Sequence, residues 1–383
     1  MLIMTKALYC GSFDPFTLGH LSVVEQALEH LNTPYKQIEK IYICIGSNDA
    51  KTPLFRKEDR IKMIKEAFIN HPHKDNIEVI SYQGLTVDLA YRLGAKYLIR
   101  GIRKNDLNNQ NEEKKLAIIN QELSKTLGFN LETLFFESRT MLLSTISSSI
   151  VKSLCSCGEY IAVANFVPFN VHQELMKHYL KHRFLKLFYP ECRSIAESYW
   201  NEVVSAYQTR PYHNLSHIAF MFNLLDKYSS ANNYKSTDME LAIFAHDIVY
   251  DVRSSDNELN SALQALSWYG AKYSKSDDLL KNLILATKQD AKPTTTDEAL
   301  LKDLDLSILG THSPKITQNY TKGIRQEYSY LNDEEYIKGR TAFLTGLMNE
   351  KRIFQTDFFY NCFESLAREN ISKELFGLRY KKI

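Results

Sequence analysis

The stretch Cys10-Gly11-Ser12-Phe13-Asp14-Pro15-Phe16-Thr17-Leu18-Gly19-His20 decides the fold of the first part of the chain. It lies between a short apolar run, residues 7–9, and a helical pattern of apolar residues over 21–31. The sequence therefore predicts a turn from a strand into a helix. Such a turn directs free backbone N–H groups and the positive end of the helix dipole toward whatever lies above it. We expect an anion to bind there.

Three kinds of residue in this stretch favour a phosphate as the anion. Gly11 and Gly19 allow close approach of a ligand to the backbone, and Ser12 offers a hydroxyl group. His20 stands at the start of the predicted helix, where a ring nitrogen can donate to a phosphate oxygen. A loop histidine that only caps a helix is the alternative for so short a motif.

Length, charge and cysteine content bound the class of protein. A chain of 383 residues is long for one compact core, so two domains are expected. The formal net charge is +2 with mixed signs along the chain, which argues against a nucleic-acid or membrane partner. The six cysteines show no repeated CxxC spacing and are expected as reduced thiols. With no signal-peptide pattern and no apolar run of membrane-spanning length, the sequence predicts a soluble cytoplasmic protein.

Strand-like runs alternate with helical patterns from residue 7 to residue 99. The predicted strands are 7–10, 41–45, 77–80 and 97–99, and the predicted helices are 21–31, 57–68 and 86–93. This alternation predicts an α/β domain with a doubly wound parallel sheet. Ligands of such sheets bind beyond the carboxyl ends of the strands.

Three further motifs follow predicted elements of this domain. Lys51, in the polar loop after the second strand, is a cation suited to a phosphate; a solvated loop lysine is the alternative. Arg100 and Arg103 flank a glycine directly after the fourth strand, so both can face one polyanion. Ser147–Ser149 precede an apolar helical run and offer hydroxyl and N–H groups at a second helix start. Ordinary N-capping is the alternative there.

These stretches, in this order, resemble the phosphopantetheine adenylyltransferase family over approximately residues 5–180. The motifs that carry the resemblance are GSFDP with TxGH, the Lys51 loop, RGIR and ISSS. The family has a Rossmann-like nucleotidyltransferase fold and transfers the adenylyl group of ATP to 4′-phosphopantetheine, giving dephospho-coenzyme A and pyrophosphate. The resemblance implies Mg²⁺ as the cofactor that accompanies ATP. It also implies a homo-oligomer, which in this family is commonly a hexamer.

The resemblance implies a role for each matched residue. The residues expected at 4′-phosphopantetheine are Ser12, Lys51, Thr86 and Arg100. The residues expected around ATP are Ser12, Phe13, His20, Gly101, Ile102, Arg103, Glu113, Ser147, Ser148 and Ser149. The catalytic candidates are His20, which would steady the ATP phosphates in the transition state, Lys51 and Arg100. No side-chain nucleophile is needed, because positioned cations and N–H donors can neutralise the charge on the reacting phosphorus.

The chain also departs from the family pattern. Residues 106–113 form a longer loop without the aromatic residues usual there, Leu143 replaces a common aromatic residue, and Cys10 stands where proline is frequent. These changes affect adenine packing and loop shape more than the phosphate cradle. They leave the nucleotide affinity and the role of Glu113 open, and they permit a different phosphorylated acceptor.

The composition shifts after residue 175. Residues 177–189 are basic and aromatic, Pro190 breaks the pattern, and long helical patterns then run to the end. The predicted domains are 1–180 and 193–383, joined by a linker over 181–192. The second domain is expected to be an all-α helical bundle.

The second domain carries a set of possible metal ligands. The adjacent pair His246-Asp247 lies in the apolar segment 241–250, where burying it is costly without compensation. A divalent metal would compensate, because imidazole and carboxylate ligands together suit Mg²⁺, Mn²⁺, Fe²⁺ or Zn²⁺. His213 upstream and a carboxylate from Asp303 or Asp305 would complete the set.

The order H…HD…D resembles the HD-domain metal-dependent phosphohydrolases over approximately residues 193–375. The resemblance implies metal-assisted hydrolysis of a phosphorylated substrate and favours Asp305 over Asp303. His217 is either a further metal ligand or a residue that contacts a ligand or phosphate. Two alternatives stay open. The histidines belong to an ordinary helical core, or the domain is a non-catalytic metal- or nucleotide-sensing or oligomerisation module.

Overall fold

The protein divides into two compact units, Met1–Leu175 and Met176–Ile383. The computed structural model describes residues 3–32, 36–46, 52–103, 106–268 and 277–380. The segment 181–192, expected as a linker, lies inside the second unit, where Phe184 and Phe188 are buried. The aromatic residues that marked the change in composition therefore supply a core and do not form a connection.

The first unit is a parallel α/β structure. Its strands are β1 (Ile3–Gly11), β2 (Lys36–Gly46), β3 (Ile77–Tyr82), β4 (Tyr97–Ile102) and β5 (Glu132–Glu137). Its helices are α1 (Leu18–Leu31), α2 (Lys57–Ala67), α3 (Thr86–Leu93), α4 (Leu107–Thr126), α5 (Met141–Thr145), α6 (Ser148–Ser156), α7 (Tyr160–Val163) and α8 (Phe169–Leu185), which ends in the second unit. The described strands pair in parallel in the order β3-β2-β1-β4-β5. This confirms the predicted Rossmann-like sheet.

The strand order reverses at β1, and this reversal positions the site. β2 and β3 lie on one side of β1, while β4 and β5 lie on the other. The pairing of β1 with β4 ends at Tyr9 opposite Ile99. Beyond these two residues the two strands separate. A crevice for ligands is expected at such a switch point.

The sequence prediction missed several elements of the first unit, among them α4 and β5. Residues 107–113, expected as a loop, are the first turns of α4, whose N-cap Asp106 accepts from the backbone N–H of Asn109 at 2.9 Å. Among the described residues of α4, only Ser124 is buried. The helix therefore needs no apolar stripe facing a core, and its polar first turns give no periodic signal. β5 is a half-buried edge strand without the apolar and polar alternation that would reveal it.

The regular elements among the described residues of the second unit are all helices. After the end of α8 it contains α9 (Arg193–Tyr207), α10 (Leu215–Asn232), α11 (Thr237–Ala245), α12 (Asn257–Leu266), α13 (Asp277–Ala286), α14 (Thr296–Leu306), α15 (Pro314–Glu327), α16 (Asp333–Asn349) and α17 (Asp357–Tyr380). Short 3₁₀ turns lie at Pro190–Cys192 and Ser307–Gly310. Across the described part of the chain, no helix combines the length and apolar character needed to span a membrane.

An aromatic core fixes the end of α11. The ring of Phe244 lies 5.0 Å from that of Phe184 and 4.7 Å from that of Phe222, measured between centroids. The buried Tyr207 hydroxyl donates to the carbonyl oxygen of Phe244 at 3.1 Å. Because His246 and Asp247 follow directly after α11, this packing holds their backbone in place.

Candidate active site and candidate metal centre

A cavity of about 310 Å³ lies where β1 and β4 end. All ten residues expected around ATP line this cavity, and so does Arg100. The lining also includes Tyr9, Asn109, Ser138, Leu143 and Ser144. The topology thus brings together three of the motifs that are far apart in sequence, residues 10–20, 100–103 and 146–149.

Two helix starts face this cavity. The N-cap of α1 is Thr17, whose hydroxyl accepts from the backbone N–H of His20 at 3.3 Å. The N-cap of α6 is Ser147, which accepts from the backbone N–H of Ile150 at 3.2 Å. Ser148 donates to the carbonyl oxygen of Pro15 at 2.8 Å, which ties the second helix start to the first turn. Two helix N-termini at one cavity favour a polyanion such as a nucleotide triphosphate.

The hydrogen bonds of His20 define its tautomer. Its Nδ1 accepts from the backbone N–H of Thr17 at 2.9 Å, so the ring proton of the neutral form resides on Nε2. The rings of Phe13 and Phe16 lie 5.1 Å and 5.5 Å from the imidazole. Burial, aided by the charge of Arg103, lowers the pKa of His20 to about 4. At neutral pH the residue is therefore an uncharged N–H donor at the cavity.

We expect His20 to titrate far below an ordinary histidine in the protein without substrates. An NMR titration of imidazole signals, with His20 assigned from the His20→Gln variant, should give a pKa near 4, since burial disfavours the imidazolium. The unfolded chain takes up this proton near pH 6.5, so lowering the pH from 6.5 toward 4 should destabilise the first unit. A midpoint at or above pH 6 would contradict the buried, neutral ring.

Arg100 is held by an ion pair that sequence reasoning missed. Its Nε and Nη2 donate to the two carboxylate oxygens of Glu113 at 2.5 Å and 2.7 Å. Its Nη1 donates to the carbonyl oxygen of Cys10 at 3.2 Å. The guanidinium group is thereby fixed at the end of β4. Glu113, expected at ATP, orients Arg100 in this structure.

A buried carboxylate joins three segments around the cavity. Asp14 accepts from the backbone N–H groups of Leu54 and Phe55 at 2.8 Å and 3.0 Å. Lys152 of α6 donates to the same side chain at 3.1 Å. The sequence motif contained Asp14, but its partners lie 40 and 138 residues away, so no local pattern indicated this role.

Of the two remaining phosphopantetheine candidates, the structure describes only Thr86. Lys51 is outside the described residues. Thr86 begins α3, does not line the cavity, and shares a hydrogen bond of 3.0 Å with the hydroxyl of Tyr82. Arg60, which the sequence did not single out, is buried and donates to the carbonyl oxygen of Ser12 at 2.6 Å. It therefore supports the turn that carries Ser12.

Close packing at Gly19 leads to a testable prediction. A Cβ atom at this position would lie 2.8 Å from the carbonyl oxygen of Leu143, so Gly19→Ala must displace the backbone before α6. We expect a loss of about 1–3 kcal/mol in the free energy of unfolding, together with a raised KM for ATP. Denaturant unfolding and ATP titration would measure both.

Gly339 offers a matched control for this substitution. It lies inside α16, where an added Cβ meets nothing within 4 Å. Gly339→Ala should therefore be neutral or stabilise by up to about 1 kcal/mol through helix propensity. Equal behaviour of the two variants would contradict the packing at Gly19.

The candidate metal centre lies in the second unit. His217, His246 and Asp247 each place one ligand atom within 4.8 Å of the others. The Nε2 atoms of the two histidines are 3.3 Å apart. Asp305 adds a carboxylate oxygen 3.1 Å from Nε2 of His217 and 3.8 Å from Nε2 of His246. Asp305 therefore lies beside the group formed by His217, His246 and Asp247.

The outer nitrogens of both imidazoles are already bound. Nδ1 of His246 donates to the carbonyl oxygen of Ile243 at 3.0 Å, and Nδ1 of His217 shares a hydrogen bond of 3.1 Å with the hydroxyl of Tyr212. Both rings are therefore oriented with Nε2 toward the carboxylates, as in metal sites whose outer contacts fix the ligands. The donor set fits a divalent cation.

Electrostatics lead to the same conclusion. Burial lowers the pKa of His246, but the Asp247 carboxylate outweighs it and raises this pKa to about 9. The cluster thus favours an added positive charge, which a proton or a metal ion can supply.

The structure separates the predicted ligands into three groups. The side chains of His246, Asp247 and Asp305 lie close together, as expected, and His217 lies beside them. Nε2 of His213 lies at the margin, 3.8 Å from an oxygen of Asp247.

Asp303 has a different task. Its carboxylate accepts from the backbone N–H groups of Gln355 and Thr356 and from the Thr356 hydroxyl at 2.7–2.8 Å. The structure therefore argues against Asp303 as the metal ligand. Asp303 and Asp305 are two residues apart on α14, so their side chains point in different directions.

Comparisons with known proteins concern the first unit. A family model described as cytidylyltransferase-like matches residues 8–154. The phosphopantetheine adenylyltransferase of Gloeobacter violaceus is 37% identical over 169 residues, covering 44% of this chain and 93% of the relative. That of Lachnoclostridium phytofermentans is 36% identical over 176 residues (46% and 96%), and that of Flavobacterium psychrophilum 39% over 155 residues (40% and 91%).

A solved structure, Thermotoga maritima TmcAL bound with alpha-thio ATP, aligns over 95% of this chain and 97% of its own. Its identity is 10% and the TM-score is 0.30, so the likeness carries no argument. The sequence relatives show the family, because the identities are 36–39% and this chain spans nearly the whole length of each relative. Through its N-terminal half, the chain belongs to the phosphopantetheine adenylyltransferase family of Rossmann-like nucleotidyltransferases.

Proposed function

We propose that the first unit transfers the adenylyl group of ATP to 4′-phosphopantetheine, forming dephospho-coenzyme A and pyrophosphate. The observation that carries the proposal is the single cavity of about 310 Å³ that collects every residue expected around ATP. Relatives of 36–39% identity are named phosphopantetheine adenylyltransferase. The test is incubation of the purified chain with both substrates and Mg²⁺, with dephospho-coenzyme A and pyrophosphate quantified by mass spectrometry and a coupled assay.

The described residues supply donors and positive charge for this reaction. A phosphate oxygen of the acceptor attacks the α-phosphorus of ATP, and the bond to pyrophosphate breaks. The neutral ring of His20 offers Nε2–H to a phosphate oxygen, while the starts of α1 and α6 offer backbone N–H groups. Arg100 and Arg103 add positive charge at the end of β4. Such preformed donors stabilise the charge that develops on the phosphorus without reorganising.

Mg²⁺ fits this site as a partner of ATP. Glu113 is the only carboxylate among the described residues that line the cavity, and it is bound to Arg100. A magnesium ion would therefore be held mainly by phosphate oxygens and water, as is common for this cation. It supplies neutralisation of charge on the departing pyrophosphate.

The acceptor is the finer part of the proposal. Lys51 and Thr86 are proposed to bind 4′-phosphopantetheine together with Ser12 and Arg100. Lys51→Ala should raise the KM for this acceptor and leave the KM for ATP unchanged. The alternative is a different phosphorylated acceptor, which the altered start of α4 permits. Competition between 4′-phosphopantetheine and nicotinamide mononucleotide, used as the alternative probe, would decide between them.

We also propose that the chain forms a homo-oligomer, with a hexamer as the expected state. The support is an exposed apolar face of α4, where Leu116, Ile119 and Leu123, three and four residues apart, are 48%, 54% and 37% exposed. Exposed apolar patches of this kind mark association surfaces. Light scattering should report a hexamer for the native chain and a smaller species for Ile119→Glu. A monomer at micromolar concentration would refute this part.

For the second unit we propose an HD-type metal-dependent phosphohydrolase. The specific observation is the buried group of His217, His246 and Asp247, with Asp305 beside it. These four residues would hold a divalent cation, which activates water and polarises a phosphoryl oxygen when bound. The chain's own contribution is to fix the imidazoles through Tyr212 and through the carbonyl group of Ile243.

The competing proposal for this unit is a non-catalytic module that senses a metal or nucleotide or mediates oligomerisation. Metal analysis of the purified chain, followed by a panel of nucleotides and phosphate monoesters, distinguishes the two. Hydrolysis that is lost in His246→Ala supports the enzyme. Metal binding without hydrolysis of any member of the panel supports the sensing module.

A further inference from the structure

Cys10 and Cys44 form a pair of buried thiols on neighbouring strands of the first unit. Cys10 of β1 lies directly opposite Cys44 of β2 in the parallel register. Neighbouring strands are about 4.7–4.9 Å apart, and cysteines whose Cα atoms are about 4.4–6.8 Å apart can be bridged. Both are free cysteines, 6% and 0% exposed. The register therefore places two thiols at a separation that a disulfide can span.

Both side chains lie on the same face of the sheet. Side chains alternate between the two faces along a strand. Cys10 belongs to one apolar cluster with Leu8, two residues before it, and Cys44 belongs to the same cluster with Tyr42, two residues before it. Helix α3 contributes to this cluster through Ala90 and its neighbours. The two thiols therefore share the space between the sheet and α3.

The surroundings of the two thiols distinguish their roles. A hydrogen bond from the Cys44 thiol outweighs burial and lowers the pKa of Cys10. The hydroxyl groups of Tyr82 and Thr86, which share a hydrogen bond of 3.0 Å, act in the same direction. Sγ of Cys44 donates to the carbonyl oxygen of Tyr42 at 3.3 Å, and its contact with Cys10 raises the pKa of Cys44. Because the thiolate is the nucleophile, Cys10 is the attacking sulfur of the pair.

Cys10 is also connected to the ATP cavity. It lines this cavity of about 310 Å³, which admits small reagents. Its carbonyl oxygen accepts from Nη1 of Arg100 at 3.2 Å, and Gly11 and Ser12 follow directly in the chain. A bond from Cys10 to Cys44 would draw the end of β1 toward β2. Such a shift moves both the partner of Arg100 and the turn that carries Ser12.

We propose that Cys10 and Cys44 form a thiol–disulfide exchange site, at which a low-molecular-weight disulfide oxidises the pair and thereby lowers turnover at the ATP cavity. The Cys10 thiolate attacks one sulfur of R–S–S–R, which gives a mixed disulfide and releases R–S⁻. The Cys44 sulfur then attacks the Cys10 sulfur and expels the second R–S⁻. Each released thiolate takes up the proton that one cysteine has lost, so two protein thiols are oxidised and the small disulfide is reduced to two thiols.

The alternative is that both cysteines only fill the core, since buried cysteine commonly behaves as a small apolar residue. Cys155 of α6 provides the comparison. It is 1% exposed, and burial raises its pKa to about 12, so it is expected to be inert. The two interpretations differ in how the pair responds to a disulfide reagent.

The experiment treats the reduced full chain with 2-hydroxyethyl disulfide, a small uncharged probe. Trypsin leaves the two cysteines in separate peptides, 7–36 and 41–51, so mass spectrometry detects their linkage directly. We expect these two peptides to become linked and adenylyl transfer to fall about 10–100-fold, the scale of loss when positioning groups shift by about 1 Å. Dithiothreitol should reverse both effects. Saturating ATP should slow the linkage, because Cys10 lines its cavity.

Variants separate the roles of the two sulfurs. Cys44→Ala should stop at a mixed disulfide on peptide 7–36, because the second attack is lost. Cys10→Ala should show no linkage and, relative to its own untreated rate, no loss of transfer. Cys155→Ala is the matched control and should respond like the native chain. If Cys44→Ala does not fold, as judged by circular dichroism, Cys44→Ser takes its place.

Two results overturn the inference: a native chain that forms no link between peptides 7–36 and 41–51, and a linked chain whose transfer rate is unchanged. The effect on turnover rests on the proposed adenylyl transfer, whereas the linkage is measured without substrates. A reduced chain that transfers no adenylyl group therefore refutes the proposed function by itself. In that case calorimetric titration with ATP decides, and equal ATP affinity of the reduced and linked chains overturns the inference.

Discussion

His20→Ala should lower the turnover of adenylyl transfer by about 10²–10³-fold, the usual cost of removing one preorganised donor to a developing phosphoryl charge. The neutral ring, with Nδ1 bound to Thr17, offers Nε2–H to the triphosphate. Alanine removes this donor, and water entering the space would be neither oriented nor held in advance. The KM for ATP should change less than the turnover, because the donor acts mainly on the transition state.

His30→Ala provides a control in the same helix. His30 lies in the last turn of α1, where its ring contacts Phe136 at 5.7 Å between centroids, and it does not line the cavity. Its replacement should leave turnover within about twofold, in keeping with surface substitutions away from special features. Initial rates of pyrophosphate release at saturating substrates would measure both variants. Intact turnover in His20→Ala would refute the site assignment.

Asp247→Asn should abolish tight metal binding by the second unit and any metal-dependent hydrolysis with it. The carboxylate contacts His246 and lies near His213, so its loss removes both a ligand and the negative charge that draws a cation into the cluster. We expect metal affinity to fall by at least about 100-fold, more than for a group that only orients a ligand. Adenylyl transfer should be unchanged. Metal content after gel filtration and a hydrolysis panel would measure this.

Asp303→Asn is the matched control, because it makes the same chemical change on a neighbouring helix. Asp303 receives three hydrogen bonds from Gln355 and Thr356, and burial raises its pKa to about 6. The amide keeps only one accepting oxygen, so stability should fall by about 1–3 kcal/mol without loss of metal affinity. The opposite pattern, with metal lost in Asp303→Asn and kept in Asp247→Asn, would exchange the roles of the two aspartates.

The sequence predicted the sheet because its central strands are buried on both faces. Residues such as Leu8, Ile43 and Ile99 are fully covered, and this burial requires the continuous apolar runs that reveal a parallel strand. The edge strand β5 and the exposed helix α4 bury less, so their patterns are weaker. Where the chain faces solvent, few side chains are buried, so the sequence shows little periodicity of apolar residues.

The candidate sites show the same limit. The phosphate motifs were readable because each is local: glycines, a helix start and its polar residues lie within a few positions. In the second unit, by contrast, the candidate metal site depends on the directions in which side chains from different helices point. His213 and His217 are four residues apart and both reach the cluster, but at different points. Glu327 contacts His213 across 114 residues, and no local pattern records such a contact.

Asp14 has a consequence for how the first unit meets its ligands. One carboxylate grips the backbone at Leu54 and Phe55 and the side chain of Lys152, so three stretches of chain share a single anchor before any substrate arrives. The entropy cost of ordering these stretches is therefore incurred when the protein folds and not when it binds substrate. Substrate affinity and thermal stability of this unit should therefore rise and fall together when the anchor is altered.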